Sequence, residues 1–357
     1  MLASGGYGCV FSPAINCDGS ALISNKYVSK VQVYNKYAIR EIKIGKKITE
    51  IIGYLTHFVP IIKHCRVELG EIEDKDHGRC EIFKKRSSNK FTTMKMPFIN
   101  GTDFIDFMIK HKDNDYIVNK LISSYNHLLS SINKLIQNNI LHFDLKGTNI
   151  LFDYDSKLPL IIDFGLSSVI DLDNISDDQM KEIFYVFGPD YYIWPLEVHY
   201  MAYLINENSN PTDDDLIDIV KEFVDNNKGL IQNFSPMFIK KYKEKSVNQL
   251  KFYNSFETFE ECKKYIMGFW TTFDNYSLSI MYLKFIYFIN TTGYTDNKFI
   301  IHFTELLLQN IDPNPENRLD ISDTIQKFNG FLTQDIHVGI KIFKNFKKNF
   351  IDGKKDI

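Results

Sequence analysis

The chain has 357 residues, 44% apolar and 24% charged, with a formal net charge of −3. That length buries a substantial core and suggests two domains or one large two-lobed one, and the near-balanced charge gives no reason to expect nucleic acid or an anionic membrane surface as the main partner. Five cysteines, Cys9, Cys17, Cys65, Cys80 and Cys262, are odd in number and lack a C-x-x-C pair. Neither a zinc cluster nor a disulfide framework is therefore expected, and a reducing, intracellular setting is the simplest reading. No basic-then-apolar leader opens the chain. The most apolar run, "SIMYLKFIYFI", is too short to span a bilayer and carries Lys284, so the protein is read as soluble.

In chain order, the first hundred or so residues alternate short β-rich runs with turn signals. "KYVSKVQVY" reads as a strand. "AIREIKIGKKITEIIGYL" carries Ile39, Ile42, Ile48, Ile52 and Leu55 at helical spacing. The polar residues from Glu71 to Lys90 read as hairpin connections. After "KMPFINGTDF" the character changes, and a boundary is expected near Ile99 to Gly101. "DYIVNKLISSYNHLLSSINKLIQNN" is a long amphipathic helix, and segments near 215–225, 277–290 and 299–310 are also helical. The stretch from about Tyr200 to Tyr265 is rich in Asn and Lys and carries no motif.

"ILHFDLKGTNILF" places four polar residues, His142, Asp144, Lys146 and Asn149, inside an apolar frame, where each must be paired or used. Downstream, the apolar run Leu160 to Ile162 ends in Asp163, Phe164 and Gly165. Upstream, "LASGGYGCVF" is a glycine-rich turn and "YVSK" brings Lys30 soon after it. Taken alone, each is ordinary: a polar loop, a hairpin turn, a solvated lysine.

Their order resembles that of the protein kinases. H-x-D-x-K-x-x-N is similar to the kinase catalytic loop, and Asp163-Phe164-Gly165 is similar to the metal-binding turn that follows it. "LASGGYGCVF" resembles the phosphate loop G-x-G-x-x-G-x-V, with Gly5, Gly8 and Val10 in place, Gly6 within it, and Ala3 where the first glycine would stand. If that position needs positive φ, alanine costs about 1 kcal/mol. By this resemblance Asp144 orients the attacking hydroxyl and accepts its proton, Lys146 is the cation beside the transferring phosphate, and Asn149 and Asp163 bind the metal. Lys30 contacts phosphate and pairs with a helix glutamate. Glu41 and Glu50 compete for that role. Glu50 is nearer the usual linear distance, and Glu41 is preferred for its setting, E-x-x-I-G-x-x-I followed by F-x-P, which resembles divergent viral kinases.

The resemblance extends along nearly the whole chain. "MKMPFINGTDF" looks like the segment between the lobes, with Met96 at the back of the nucleotide pocket, the backbone of Pro97 and Ile99 facing adenine, and Asp103 near the ribose. "WPLEVHY" looks like the A-P-E segment, with Glu197 as its acid. "FDNYSLSIMYL" supplies Asp274 as the brace of the catalytic loop, and "DPNPENRL" supplies Arg318 as the partner of Glu197, in a buried bidentate pair. An extra block separates Glu197 from Asp274.

What the resemblance implies is an α+β, bilobal protein-kinase fold: a small β-rich N-lobe with one main helix at 1–98 and a larger, mostly helical C-lobe at 99–357, with an insert at about 200–268. The implied activity is transfer of the γ-phosphate of ATP, with Mg²⁺ or alternatively Mn²⁺, to serine or threonine hydroxyls of protein substrates. Lys146 two residues after Asp144 is the serine/threonine mark. The pattern is most like the kinases of large DNA viruses, working in host cytoplasm or virion, with a monomer as the default and neither nucleic acid nor membrane as partner. The alternatives are a small-molecule kinase, disfavoured by Glu197 and Arg318, and an inactive pseudokinase scaffold, disfavoured by Lys30, Asp144, Asn149 and Asp163 together. Two departures bear on mechanism. Phe143 replaces the arginine usual before the catalytic Asp, so activity is expected to be independent of activation-loop phosphorylation. Only Met1 and Leu2 precede the phosphate loop, so the first strand is expected to be nearly absent, whether because it is short or because the chain is a fragment.

Overall fold

The computed structural model describes residues 2–4, 8–22, 24–72, 80–84, 90–112, 117–290 and 298–334. Two compact units divide the chain: Met1–Phe104 with Lys134–Ile170, and Ile105–Asn133 with Asp171–Ile357.

In the first unit, strands β1 (Ala3–Ser4), β2 (Cys9–Phe11), β3 (Tyr27–Val33), β4 (Lys63–Glu68) and β5 (Lys90–Pro97) form an antiparallel sheet in the order β1-β2-β3-β5-β4. "YVSKVQV" suits the centre of that sheet because its β-branched and aromatic residues favour a pleated surface. Its register sets Lys30 opposite Val10 on one side and Met94 on the other. Cys9, Phe11, Val31, Val67, Phe83 and Phe91 are among the residues of the core under this sheet.

Helix α1 (Lys36–Thr49) begins at Asn35, whose side chain accepts from the N–H groups of Tyr37 and Ala38, the standard way to satisfy orphan donors at a helix start. It ends at Thr49, short of the helical run expected through Leu55. Glu50 caps it in right-handed backbone, and in the turn that follows Gly53 adopts φ 75 and Ile52 is 91% exposed. The buried face is Ala38, Glu41, Ile44, Gly45 and Ile48. Gly45 permits a close approach to Ile61: a Cβ there would lie 2.8 Å from the Ile61 carbonyl oxygen.

The connection expected between Glu71 and Lys90 joins the antiparallel neighbours β4 and β5, and it carries a short helix α2 (Glu81–Lys84) that buries Ile82 and Phe83. One expectation is corrected. The cysteines, expected to be unpaired, do pair: Cys9 with Cys80, and Cys17 with Cys65, leaving Cys262 free and buried. Linear spacing hid this, because the chain folds back on itself. Cys9 and Cys80 both belong to the core under the sheet, and Cys65 lies on the edge strand β4.

Strands β6 (Gly101–Asp103), β8 (Ile150–Asp153) and β9 (Pro159–Ile161) form a three-stranded sheet in the order β6-β8-β9, and β7 (Ile140–Leu141) pairs with β10 (Ser168–Val169). Helices α3 (Phe104–Lys110) and α4 (Ile117–Gln137) lie between β6 and β7 in the chain.

The second unit is helical: most of α3 and α4, then α5 (Asp177–Ile183), α6 (Leu196–Asn206), α7 (Asp213–Asn226), α8 (Lys228–Ile231), α9 (Pro236–Asn254), α10 (Phe259–Met267), α11 (Phe273–Asn290), α12 (Lys298–Asn310) and α13 (Ile321–Gln334). The motif-free stretch is built from well-signalled helices. Thr212 with Asp215 and Thr258 with Glu261 are capping boxes, and Ser235 caps α9 just before Pro236. Tyr125 is the centre of an aromatic core, 4.8 Å from both Tyr282 and Phe303 and 4.9 Å from Phe328. No described helix is long and apolar enough to cross a membrane.

The disulfides close stretches of 71 and 48 residues, and closing loops of that size is worth about 4 kcal/mol each in the chain-entropy account. Alkylation of denatured, unreduced protein should therefore label Cys262 and spare the other four cysteines, and a dithiol reductant should lower the thermal midpoint by roughly 10 °C. Labelling of all five, with no shift on reduction, would refute the pairing.

Candidate active site

The site of the first unit is assembled around Lys30. From the middle of β3 its Nζ lies 2.9 Å from Glu41 Oε1, 3.1 Å from Glu41 Oε2 and 2.9 Å from Asp163 Oδ1. The structure thus puts Glu41 at Lys30, while Glu50, the other candidate, is an exposed residue at the C-cap of α1. Side-chain exposure is 12% for Lys30, 4% for Glu41 and 45% for Asp163, so only one arm of the network opens to ligands. Burial alone would lower the pKa of the Lys30 ammonium, but Glu41 and Asp163 outweigh it and hold the group well above the usual lysine value. For Glu41, burial aided by the charge of Asp163 prevails over Lys30 and raises its pKa. Burial acts the same way on Asp163, but Lys30 wins through charge and hydrogen bond and lowers it.

The four polar residues of "ILHFDLKGTNILF" all find partners. The Asp144 N–H donates to His142 Nδ1 at 3.2 Å. This assigns the ring proton to Nε2, which donates to the Ile162 carbonyl at 3.1 Å. His142 is fully buried, with Phe164 edge-on at 5.0 Å. Ser167 Oγ donates to the His142 carbonyl at 3.0 Å. His142 received no role from the sequence; its apolar flanks were the available signal that it is a buried strut. Lys146 Nζ spans both carboxylate oxygens of Asp144 at 3.0 and 3.1 Å. Asn149 Nδ2 donates to Asp144 Oδ2 at 2.7 Å and to its carbonyl at 2.9 Å.

Two residues here have left-handed backbone, Phe143 at φ 67 and Asp163 at φ 58. Non-glycine residues adopt this conformation at a cost of order 1–3 kcal/mol, and it persists where the surroundings impose it. Phe143 is buried, so an apolar ring fills the position before Asp144.

Asn149 and Asp163 are brought together because the Ile162 N–H donates to the Asn149 carbonyl at 2.9 Å. With Nδ2 committed to Asp144, Asn149 has Oδ1 to offer a cation, and the part-exposed Asp163 carboxylate is a hard oxygen donor of the kind magnesium takes. Among the described residues no group of three or more His, Cys, Asp and Glu could hold a metal. A cation on these two residues would draw its remaining ligands from elsewhere, as nucleotide phosphates and water provide.

Of the other residues expected at a nucleotide, Ala3 pairs with Val10 across β1 and β2. Gly8 follows the loop, where a Cβ would lie 2.9 Å from the Val31 carbonyl oxygen. Gly5 and Gly6 lie outside the described residues. Met96 lines a small cavity with Glu41, Ile61, Asp163 and Phe164. Pro97 ends β5 opposite Tyr27, and the Phe98 N–H donates to the Lys26 carbonyl at 2.9 Å. Ile99 is half-buried, and Asp103 pairs with Leu151 in the small sheet.

A family model for the protein kinase domain matches residues 1–188, more than half of the 357. The chain belongs to the protein kinase family. Its β-rich N-terminal and helical C-terminal regions are those of the α+β, two-lobed kinase fold, and its family acts by phosphotransfer to proteins, using ATP and a divalent metal. None of the curated proteins matches it.

The match stops before three expected kinase elements, all in the second unit. Glu197 and Arg318 form a bidentate pair, 2.5 and 2.9 Å, with both side chains fully buried. Arg318 Nε also donates to the Asp312 carbonyl at 2.7 Å. Burial opposes the charge of Arg318, but Glu197 overcomes it and raises the guanidinium pKa further. Asp274 is buried at the start of α11. Removing one member of a buried ion pair strands the other, at a cost of about 3–5 kcal/mol. Arg318→Leu and Glu197→Leu should each lose that much in urea unfolding, and the double variant should recover part of the loss. Additive losses would mean that the pair is not coupled.

Proposed function

We propose that this kinase transfers the γ-phosphate of ATP, with magnesium, to serine and threonine hydroxyls of protein substrates. The observation that carries the proposal is the pairing of two preorganised clusters, Lys30–Glu41–Asp163 and Asp144–Lys146–Asn149, in one compact unit. The nucleotide and metal would supply the activated phosphoryl group and the charge that neutralises it. Asp144, oriented by Asn149 and by its own N–H on His142, takes the acceptor hydroxyl and its proton. Lys146 neutralises charge beside the transferring group. Lys30, held by Glu41, contacts phosphate, while Asn149 and Asp163 hold the metal. The glycine-rich segment from Ala3 to Val10 would contact the phosphates, Met96 backs the adenine, Pro97 and Ile99 offer it backbone, and Asp103 takes the ribose.

Lys146 two positions after Asp144 supports serine and threonine as acceptors. Phe143, buried and apolar, offers no charge to a phosphorylated activation segment, which supports activity without such phosphorylation. In lobe terms the N-lobe is 1–98 and the C-lobe 99–357, with helices α7 to α10 forming most of the insert at 200–268. The resemblance to kinases of large DNA viruses rests on the setting of Glu41. For location, the cytoplasmic reading drew on cysteine spacing, and the pairs Cys9–Cys80 and Cys17–Cys65 instead favour an oxidising compartment.

Labelled γ-phosphate, supplied as ATP with magnesium, should pass to a generic basic protein or to the chain itself and appear as phosphoserine or phosphothreonine. Asp144→Asn should lower the rate by about 10²–10⁴-fold, and Asp163→Asn should remove nearly all of it. Folded wild type that transfers nothing would favour a binding scaffold over an enzyme. Undiminished transfer in both variants would place the chemistry elsewhere.

A further inference from the structure

Helix α1 sends two consecutive side chains to the Asp163–Gly165 turn. Successive residues of a helix point about 100° apart, so neighbours can grip one turn from two sides. Glu41 does so through Lys30. Arg40 does so directly: its Nη2 donates to the Gly165 carbonyl at 3.2 Å, and its guanidinium lies 5.6 Å from the ring centroid of Tyr37 on the same helix. The Gly165 N–H, on the other face of that residue, donates to Asp163 Oδ1 at 3.4 Å. Gly165 is pressed against the ion network. A Cβ there would lie 3.2 Å from Asp163 Oδ1 and 3.6 Å from both Glu41 Oε2 and Lys30 Nζ. Asp163 meanwhile holds φ 58, a conformation that needs support from its surroundings.

We propose that Arg40 is a positioning residue for Asp163. By fixing the Gly165 carbonyl it sets the turn whose N–H steadies the Asp163 carboxylate, and so couples the placement of α1 to the oxygen offered to the metal. A surface cation resting on Tyr37 would not need to reach the carbonyl of this glycine. The proposal rests on the kinase reading for its purpose, though not for its geometry.

The test compares wild type with Arg40→Met and Arg40→Lys, by amide exchange of residues 163–168 without nucleotide and by the Mg²⁺ concentration that half-saturates binding of a fluorescent ATP analogue. A charge-assisted hydrogen bond of this kind predicts about tenfold faster exchange and about a tenfold higher Mg²⁺ requirement in Arg40→Met. Binding of the analogue in EDTA and the thermal midpoint should stay near wild type, and Arg40→Lys should restore part of both effects. Unchanged exchange and Mg²⁺ dependence would overturn the proposal, as would a loss that follows the thermal midpoint and is not rescued by lysine. If wild type transfers no phosphate, the kinase reading fails, and the exchange comparison still decides the role of Arg40.

Discussion

One ammonium lying between two carboxylates governs the first unit. Lys30, Glu41 and Asp163 come from a central strand, a helix and the end of a hairpin, and none could be buried alone without a large desolvation cost. Their mutual attraction fixes the position of α1 on the sheet and the position of the Asp163 turn. The cluster carries one more negative charge than positive, and the excess sits on Asp163, the member that is most exposed. A divalent cation at that carboxylate would offset it.

Around this centre the architecture supplies rigidity in several ways. Gly45 lets α1 approach Ile61 closely, which brings Glu41 within reach of β3. His142 is a strut with both ring nitrogens engaged, one on Asp144 and one on the Ile162 carbonyl, so the loop bearing Asp144 and the strand leading to Asp163 are linked through one imidazole. Cys9–Cys80 and Cys17–Cys65 fasten the sheet that carries the glycine-rich turn. Glu197 and Arg318 perform a comparable service in the second unit, where a fully buried bidentate pair ties α6 to the segment before α13.

The parts legible in the sequence were those with fixed local spacing. H-x-D-x-K-x-x-N is close-knit because Asn149 and Lys146 both fold back on Asp144, so the whole cluster is written within eight residues. The strand holding Lys30 and the long helix Ile117–Gln137 were legible through residue type and periodicity. What the sequence concealed depended on chain reversal. Glu41 and Glu50 compete along the line; the setting of Glu41 favoured it, and the burial of one helix face puts it at Lys30. The disulfides join residues whose spacing carries no signal. Ile52 continues the helical period of α1, yet the helix ends at Thr49 and Ile52 stands in solvent. Arg40 looks like a surface cation until the turn at Gly165 is seen beside it.

The central claim, that the Lys30–Glu41–Asp163 network acts as a unit in holding nucleotide and metal, is tested most directly by a double-mutant cycle. The Kd of ATP with Mg²⁺ would be measured for Lys30→Met, Glu41→Gln and the two combined. A coupled network predicts that each single change weakens binding by about tenfold or more and that the double variant is no weaker than the worse single, a coupling of about 1–3 kcal/mol. Effects that simply add would contradict the account.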